Sequence, residues 1–174
     1  MEEPHPDQPH DWADRHVDRW RDHWIGIEFD DEVEAITVRL DRIRRHLKQS
    51  TRHAVEGAGL QIHEYETLHH LMIRDTPGRT TPSALAADLG VSAAGTTGRL
   101  DALERSGWVR RAPATDDRRR VDIEVTEAGL EVWKRAMSLR GKAEDELFGA
   151  LTARDRTRLA ALLKQLTLHI EGTG

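Results

Sequence analysis

Cysteine is absent from the 174-residue chain, which excludes disulfides, thiolate zinc sites and cysteine nucleophiles. Any metal or catalytic role would have to rest on His, Asp, Glu, Ser or Lys. No run of about 18 apolar residues is present to span a bilayer. Residues 1–10 are acidic and proline-spaced rather than basic and then apolar, unlike an export signal. A cytoplasmic protein without membrane contact is the expectation. A Gly-rich phosphate loop, a nucleophile elbow and a dinucleotide fingerprint are also missing. An enzyme would have only scattered carboxylates and histidines for acid–base work, so neither an activity nor a cofactor is expected. The length suits one well-buried domain with helical extensions.

The net charge of −5 hides a segregated distribution. Residues 1–35 hold twelve Asp or Glu against three Arg, whereas residues 99–120 hold seven Arg against four acids. A basic stretch on an otherwise acidic chain fits a reader of DNA whose remaining surface repels the phosphate backbone.

Helical periodicity dominates the pattern. Val33, Ile36, Leu40, Ile43 and Leu47 alternate in spacings of three and four, and Asp31 with Glu34 offers a capping-box start. This long helix ends before the Gly57 to Gly59 break. A second helix is expected from about His63 to Asp75 with Leu68, Leu71 and Met72 inward, closed by Thr76-Pro77-Gly78. Another runs from Thr126 to about Phe148 and carries Leu130, Trp133 and Met137. The last starts at Thr152 with Leu159, Leu162, Leu163, Leu166 and Ile170 on one face. The narrow seams of the first and last of these helices suit pairing between two copies better than burial in one. Packing on their own chain is the alternative.

Residues 81–91 carry the most specific local signals. Thr81 reads as an N-cap, Pro82 as the first helical residue, Leu85 and Leu89 as inward positions and Gly90 as a left-handed stop. Ser92 then caps a helix through about Ser106, with Leu100 and Leu103 inward. Two short helices joined by a tight turn form a helix-turn-helix, the second being the recognition helix. Its exposed face is read as Ala93 to Arg99, with Ser92, Ala94, Thr96, Thr97 and Arg99 as DNA contacts. Gly95 and Gly98 permit close approach to the DNA backbone, or mark an irregular helix. After Gly107, Trp108 to Arg111 and the alternating Val121 to Val125 flank a loop, which reads as a β-hairpin. The loop carries Asp117, Arg118, Arg119 and Arg120, placed for the minor groove if the hairpin is a wing.

From Leu85 through Gly129 the chain resembles the MarR family of bacterial regulators. The resemblance rests on the Leu-Ala-x-x-Leu-Gly-Val-Ser turn, the Arg-Leu-x-x-Leu-Glu-x-x-Gly-x-Val run at 99–109, Asp117-Arg118-Arg119, and Val125-Thr126-Glu127-Ala128-Gly129. It implies a mainly α fold with a small β-hairpin wing, a winged helix-turn-helix flanked by terminal dimerisation helices. It also implies a homodimer on double-stranded operator DNA, usually a repressor, often released by a small anionic or phenolic effector. In relatives the wing aspartate, here Asp117, orients the arginine two residues on, here Arg119. The N-terminal extension is similar to that of the urate-responsive subgroup. Trp12, Trp20 and Trp24 lie there, with His16, Trp20 and Trp24 on one face expected to pack over the next helix. By that resemblance a tryptophan, Trp20 or Trp24, and Glu66 contribute to an effector pocket, with His69 nearby as a further candidate.

The expected organisation is a disordered tail at 1–10, N-terminal helices at 11–60, the winged helix-turn-helix at 61–126 and C-terminal helices at 127–174. The alternative within the same fold is a zinc-responsive or ligand-independent regulator, zinc being held by a set drawn from Glu64, Glu66, His69 and His70.

Overall fold

A computed structural model of the chain describes residues 9–21, 30–113 and 121–173. The elements are α1 (Trp12–Trp20), α2 (Asp31–Gly57), α3 (Ile62–Met72), β1 (Arg79–Thr80), α4 (Pro82–Leu89), α5 (Ala93–Arg105), β2 (Val109–Pro113), β3 (Val121–Val125), α6 (Glu127–Phe148) and α7 (Ala153–Gly172). Two compact units divide the chain, Met1–Gln49 and Ser50–Gly174. Residues 1–8 of the expected tail lie outside the described residues.

In the first unit the Asp11 side chain caps α1, and Asp14 returns the bond to the Asp11 N–H. Arg39 of α2 donates to both Asp11 oxygens at 2.9 and 3.1 Å and to Asp14 at 2.6 Å. The hydrogen bond from Arg39 and the cap hold the Asp11 carboxyl well below the usual carboxylate range. The buried residues of α1 are Ala13 and Val17. Of the expected face, His16 is part-buried and lies 3.2 Å from Glu34 of α2, Trp20 keeps 40% exposure, and Trp24 lies outside the described residues. The α2 cap is also one residue earlier than expected, because the Asp30 side chain accepts from the N–H groups of Glu32 and Val33.

The core of the second unit gathers Val55 and Leu60, Tyr65, Leu68 and Leu71 of α3, Leu85 of α4, Leu100 and Leu103 of α5, Val109, Ile123, and Val132 and Ala136 of α6. Leu68, Leu71, Leu85, Leu103 and Ile123 are fully enclosed. Each such side chain contributes roughly 1.5–3 kcal/mol relative to exposure. Thus α3, α4 and α5 form one packed trihelical body, and the inward positions of α4 and α5 are the leucines named from the sequence. The helix α3 stops at Met72 rather than near Asp75, and the Gly78 N–H folds back to the Leu71 carbonyl at 2.8 Å.

The sheet has three strands in the order β1-β3-β2, all antiparallel. The hairpin pairs Val109 with Val125 and Pro113 with Val121, while β1 pairs Arg79 with Glu124 and Thr80 with Ile123. The edge strand β1 exists only through this pairing, since two residues carry no alternation of their own.

Candidate nucleic-acid interface

The turn between α4 and α5 is built by local chemistry. Thr81 Oγ1 accepts the Ala84 N–H at 3.2 Å and Pro82 occupies the first turn. Gly90 adopts φ 62°, which a side chain resists, and lets Val91 donate to the Ala86 carbonyl at 3.2 Å. Ser92 Oγ then accepts the Gly95 N–H at 3.1 Å and starts α5. The helix-turn-helix is therefore set by caps at both ends of the turn.

Along α5, Ser92, Ala94 and Thr97 are exposed. Thr96, read from the sequence as a contact on the exposed face, is only 1% exposed, and its hydroxyl donates to the Ser92 carbonyl at 3.1 Å. It belongs to the inward face with Leu100 and Leu103, and its small size hid this in the sequence. A Cβ at Gly95 would lie 3.3 Å from Ser92 Oγ, whereas one at Gly98 would meet nothing. Gly95 thus answers to the cap. Among the described residues nothing meets a side chain at Gly98.

Arg99 is half-buried and turned back onto α3, where it lies 3.3 Å from Glu66 Oε2. The structure thus joins two residues that the sequence had assigned separately, one to DNA and one to an effector. Arg110 pairs with Glu124 at 2.7 Å, and Arg111 pairs with Asp101 and Glu104. The basic stretch is therefore less free in its described part than its composition suggests. Asp117, Arg118, Arg119 and Arg120 lie outside the described residues. The strands of the wing are held from the β1 side by Arg79, which donates to Asp122 at 2.9 Å, sits 3.0 Å from Glu124, and donates to the Pro113 carbonyl at 3.3 Å.

One turn further along α3, the ring of His69 stacks between Tyr65, with centroids 5.4 Å apart, and Trp133 of α6, at 6.3 Å. Trp133 Nε1–H donates to His69 Nδ1 at 3.4 Å. Burial, and then the charges of Arg140 and His70, push the His69 pKa down. Arg140 donates to the Tyr65 hydroxyl at 3.2 Å and to Glu144 at 2.7 Å. Sequence reasoning named His69 but missed Tyr65 and Arg140; the i, i+4 pairing of Tyr65 with His69 was the available signal. Trp24 lies outside the described residues. In the first unit, a wide cavity of about 1000 Å³ beside α1 is lined by residues including Asp14, Asp18, Arg21 and Arg39, and Trp20 is not among them.

The zinc set is disfavoured. Glu64 is spent on the Gln61 N–H at 2.8 Å and Glu66 on Arg99. Among the described residues, no three His, Asp or Glu side chains come together to hold a metal.

Residues 65–121 match the model of the MarR family. The chain is 27% identical to the transcriptional regulator PecS of Dickeya dadantii over 88% of this chain and 92% of that protein. It is 28% identical to the transcriptional repressor MprA of Escherichia coli, over 52% of this chain and 51% of that protein. Among solved structures, a mutant of S. aureus MepR bound to an oligodeoxyribonucleotide superposes with a TM-score of 0.62 at 21% identity, covering 82% of this chain and 99% of that one. The apo form of E. coli MarR gives 0.59 at 24% identity, covering 73% and 93%.

Proposed function

The chain belongs to the MarR family of winged-helix transcriptional regulators, and from that premise we propose that it acts as a homodimeric, sequence-specific repressor of an operator. In this reading each protomer lays the exposed edge of α5, with Ser92, Ala94 and Thr97, in a major groove. Arg119, flanked by Arg118 and Arg120 and oriented by Asp117, enters the adjacent minor groove. The observation that carries it is the capped turn from Thr81 to Ser92, which presents α5 beside a hairpin whose strands Arg79 holds. The deciding experiment is titration of upstream intergenic DNA across a salt series, with a scrambled duplex as control. Two-fold symmetric protection that weakens with salt supports the reading. Equal affinity for both duplexes would leave the winged helix without an operator.

Two substitutions probe the two grooves. Arg119→Ala should weaken operator binding by about 1–3 kcal/mol in the same titration. Gly98→Ala should stabilise the fold by roughly 0.5–1 kcal/mol, because it removes a flexible residue from a helix interior with room for a methyl. If the bare α5 backbone lies against DNA, the same variant binds operator more weakly while melting higher. Unchanged affinity would release Gly98 from the contact.

Homodimer formation is supported by apolar side chains left uncovered within the single chain. On α2, Val33, Ile36 and Leu40 keep 57%, 47% and 41% exposure, and none of the residues of α7 is buried. A small anionic or phenolic effector is the finer part of the proposal. Glu66 and His69 share α3, and the Glu66–Arg99 pair connects that helix to α5. An anion that took Arg99 from Glu66 would act on the recognition helix directly. Glu66→Gln should change the effector response more than the ligand-free affinity.

A further inference from the structure

Arg111 stands on β2 and reaches across to α5. Its Nη2 donates to Asp101 Oδ1 at 2.6 Å, its Nη1 donates to the Glu104 carboxylate, and its backbone N–H donates to Glu104 Oε1 at 3.2 Å. Asp101 and Glu104 are three residues apart and project from one face of the helix. An isolated exposed ion pair is weak. A planar guanidinium spanning two carboxylates, with a backbone bond beside it, instead fixes direction as well as distance. The outer strand of the hairpin is thereby fastened to the helix, while Arg79 fastens the hairpin's other side at Asp122 and Glu124.

We propose that Arg111 is a positioning residue for DNA recognition, tying the wing to the recognition helix through Asp101 and Glu104 so that both meet their grooves as one rigid body. This rests on the operator-binding reading above. Arg111 is poorly suited to touch DNA itself. Its single charge is opposed by two carboxylates, and a phosphate would have to displace both. The joint acts before binding, by removing a freedom that the wing would otherwise lose on the DNA.

The test measures operator affinity for Arg111→Ala, Arg111→Lys and the double variant Asp101→Ala/Glu104→Ala, each with Arg119 intact and with Arg119→Ala. Thermal melts first establish that each is folded at the assay temperature. Arg111→Ala and the double alanine variant should each weaken binding about tenfold with Arg119 present, and by less than about twofold once Arg119 is gone, the non-additivity expected of residues acting through one element. Arg111→Lys, able to reach one carboxylate, should fall between. The double variant is decisive because it removes two negative charges and frees Arg111. If Arg111 worked by direct contact or by charge alone, that variant would bind operator more tightly. Tighter binding, or a tenfold loss that persists without Arg119, would overturn the joint while leaving the operator reading intact. A wild-type protein that does not distinguish operator from scrambled duplex would overturn both.

Discussion

Replacing Gly129 with alanine should lower the melting temperature by about 6–12 °C, corresponding to about 3 kcal/mol, at the severe end of overpacking effects. A Cβ built there runs into the Trp108 carbonyl oxygen and lies 3.0 Å from Val125 Cγ1. The first obstacle is backbone, so no side chain can swing away to relieve it. The Trp108 carbonyl accepts the Thr126 N–H at 3.0 Å, and the Thr126 hydroxyl donates to the Gly107 carbonyl at 2.7 Å while accepting the Gly129 N–H at 3.0 Å. At this point the end of α5, the start of β2 and the cap of α6 meet. Displacing Trp108 would loosen the entry to the wing and the start of α6 together. Differential scanning calorimetry would read the loss, and Gly98→Ala is the control that should move the other way. An unshifted melt for Gly129→Ala would mean that the first turn of α6 can slide, and that the three elements are not locked there.

The parts of the fold that sequence made legible are those governed by neighbours in the chain. Thr81 and Ser92 cap the helices they were expected to cap, and Thr126, where a helix was expected to begin, caps α6, since a short hydroxyl beside free N–H groups needs no distant partner. Gly90 at φ 62° follows in the same way from the two-helix turn. Long-range partners were hidden. The strand β1 is two residues recruited by β3, Thr96 was too small to reveal which face it occupies, and Arg99 and Arg111 were counted as free cations before Glu66, Asp101 and Glu104 were seen to hold them. On α1 the small Ala13 and Val17 are buried while Trp20 keeps 40% exposure, an order that an apolar count does not reveal. A candidate interface read from arginine content therefore needs the ion pairs before its charge can be assigned.

The second large effect is expected in α7. Replacing Leu162 and Leu166 with lysine should convert the protein to a monomer and collapse operator binding. Leu162 keeps 51% exposure, Leu166 52% and Ile170 68%. A helix with no residue buried in its own chain gains little from packing there, and isolated helices are marginal in water. In the proposed homodimer a partner copy supplies the missing cover, and in a two-fold interface each substitution acts twice. Four lost leucine burials at roughly 1.5 kcal/mol or more each amount to about 6 kcal/mol, or some four powers of ten in the dimer dissociation constant. A nanomolar dimer would then be monomeric at micromolar protein. Each monomer would hold a single half-site, without the gain from engaging two at once. The winged helix-turn-helix should survive, because its core of Leu68, Leu71, Leu85, Leu100 and Leu103 owes nothing to α7. Sedimentation equilibrium and circular dichroism therefore form the test together: a helical, folded monomer is the expected result, and a variant that remains a dimer would move the interface away from this helix.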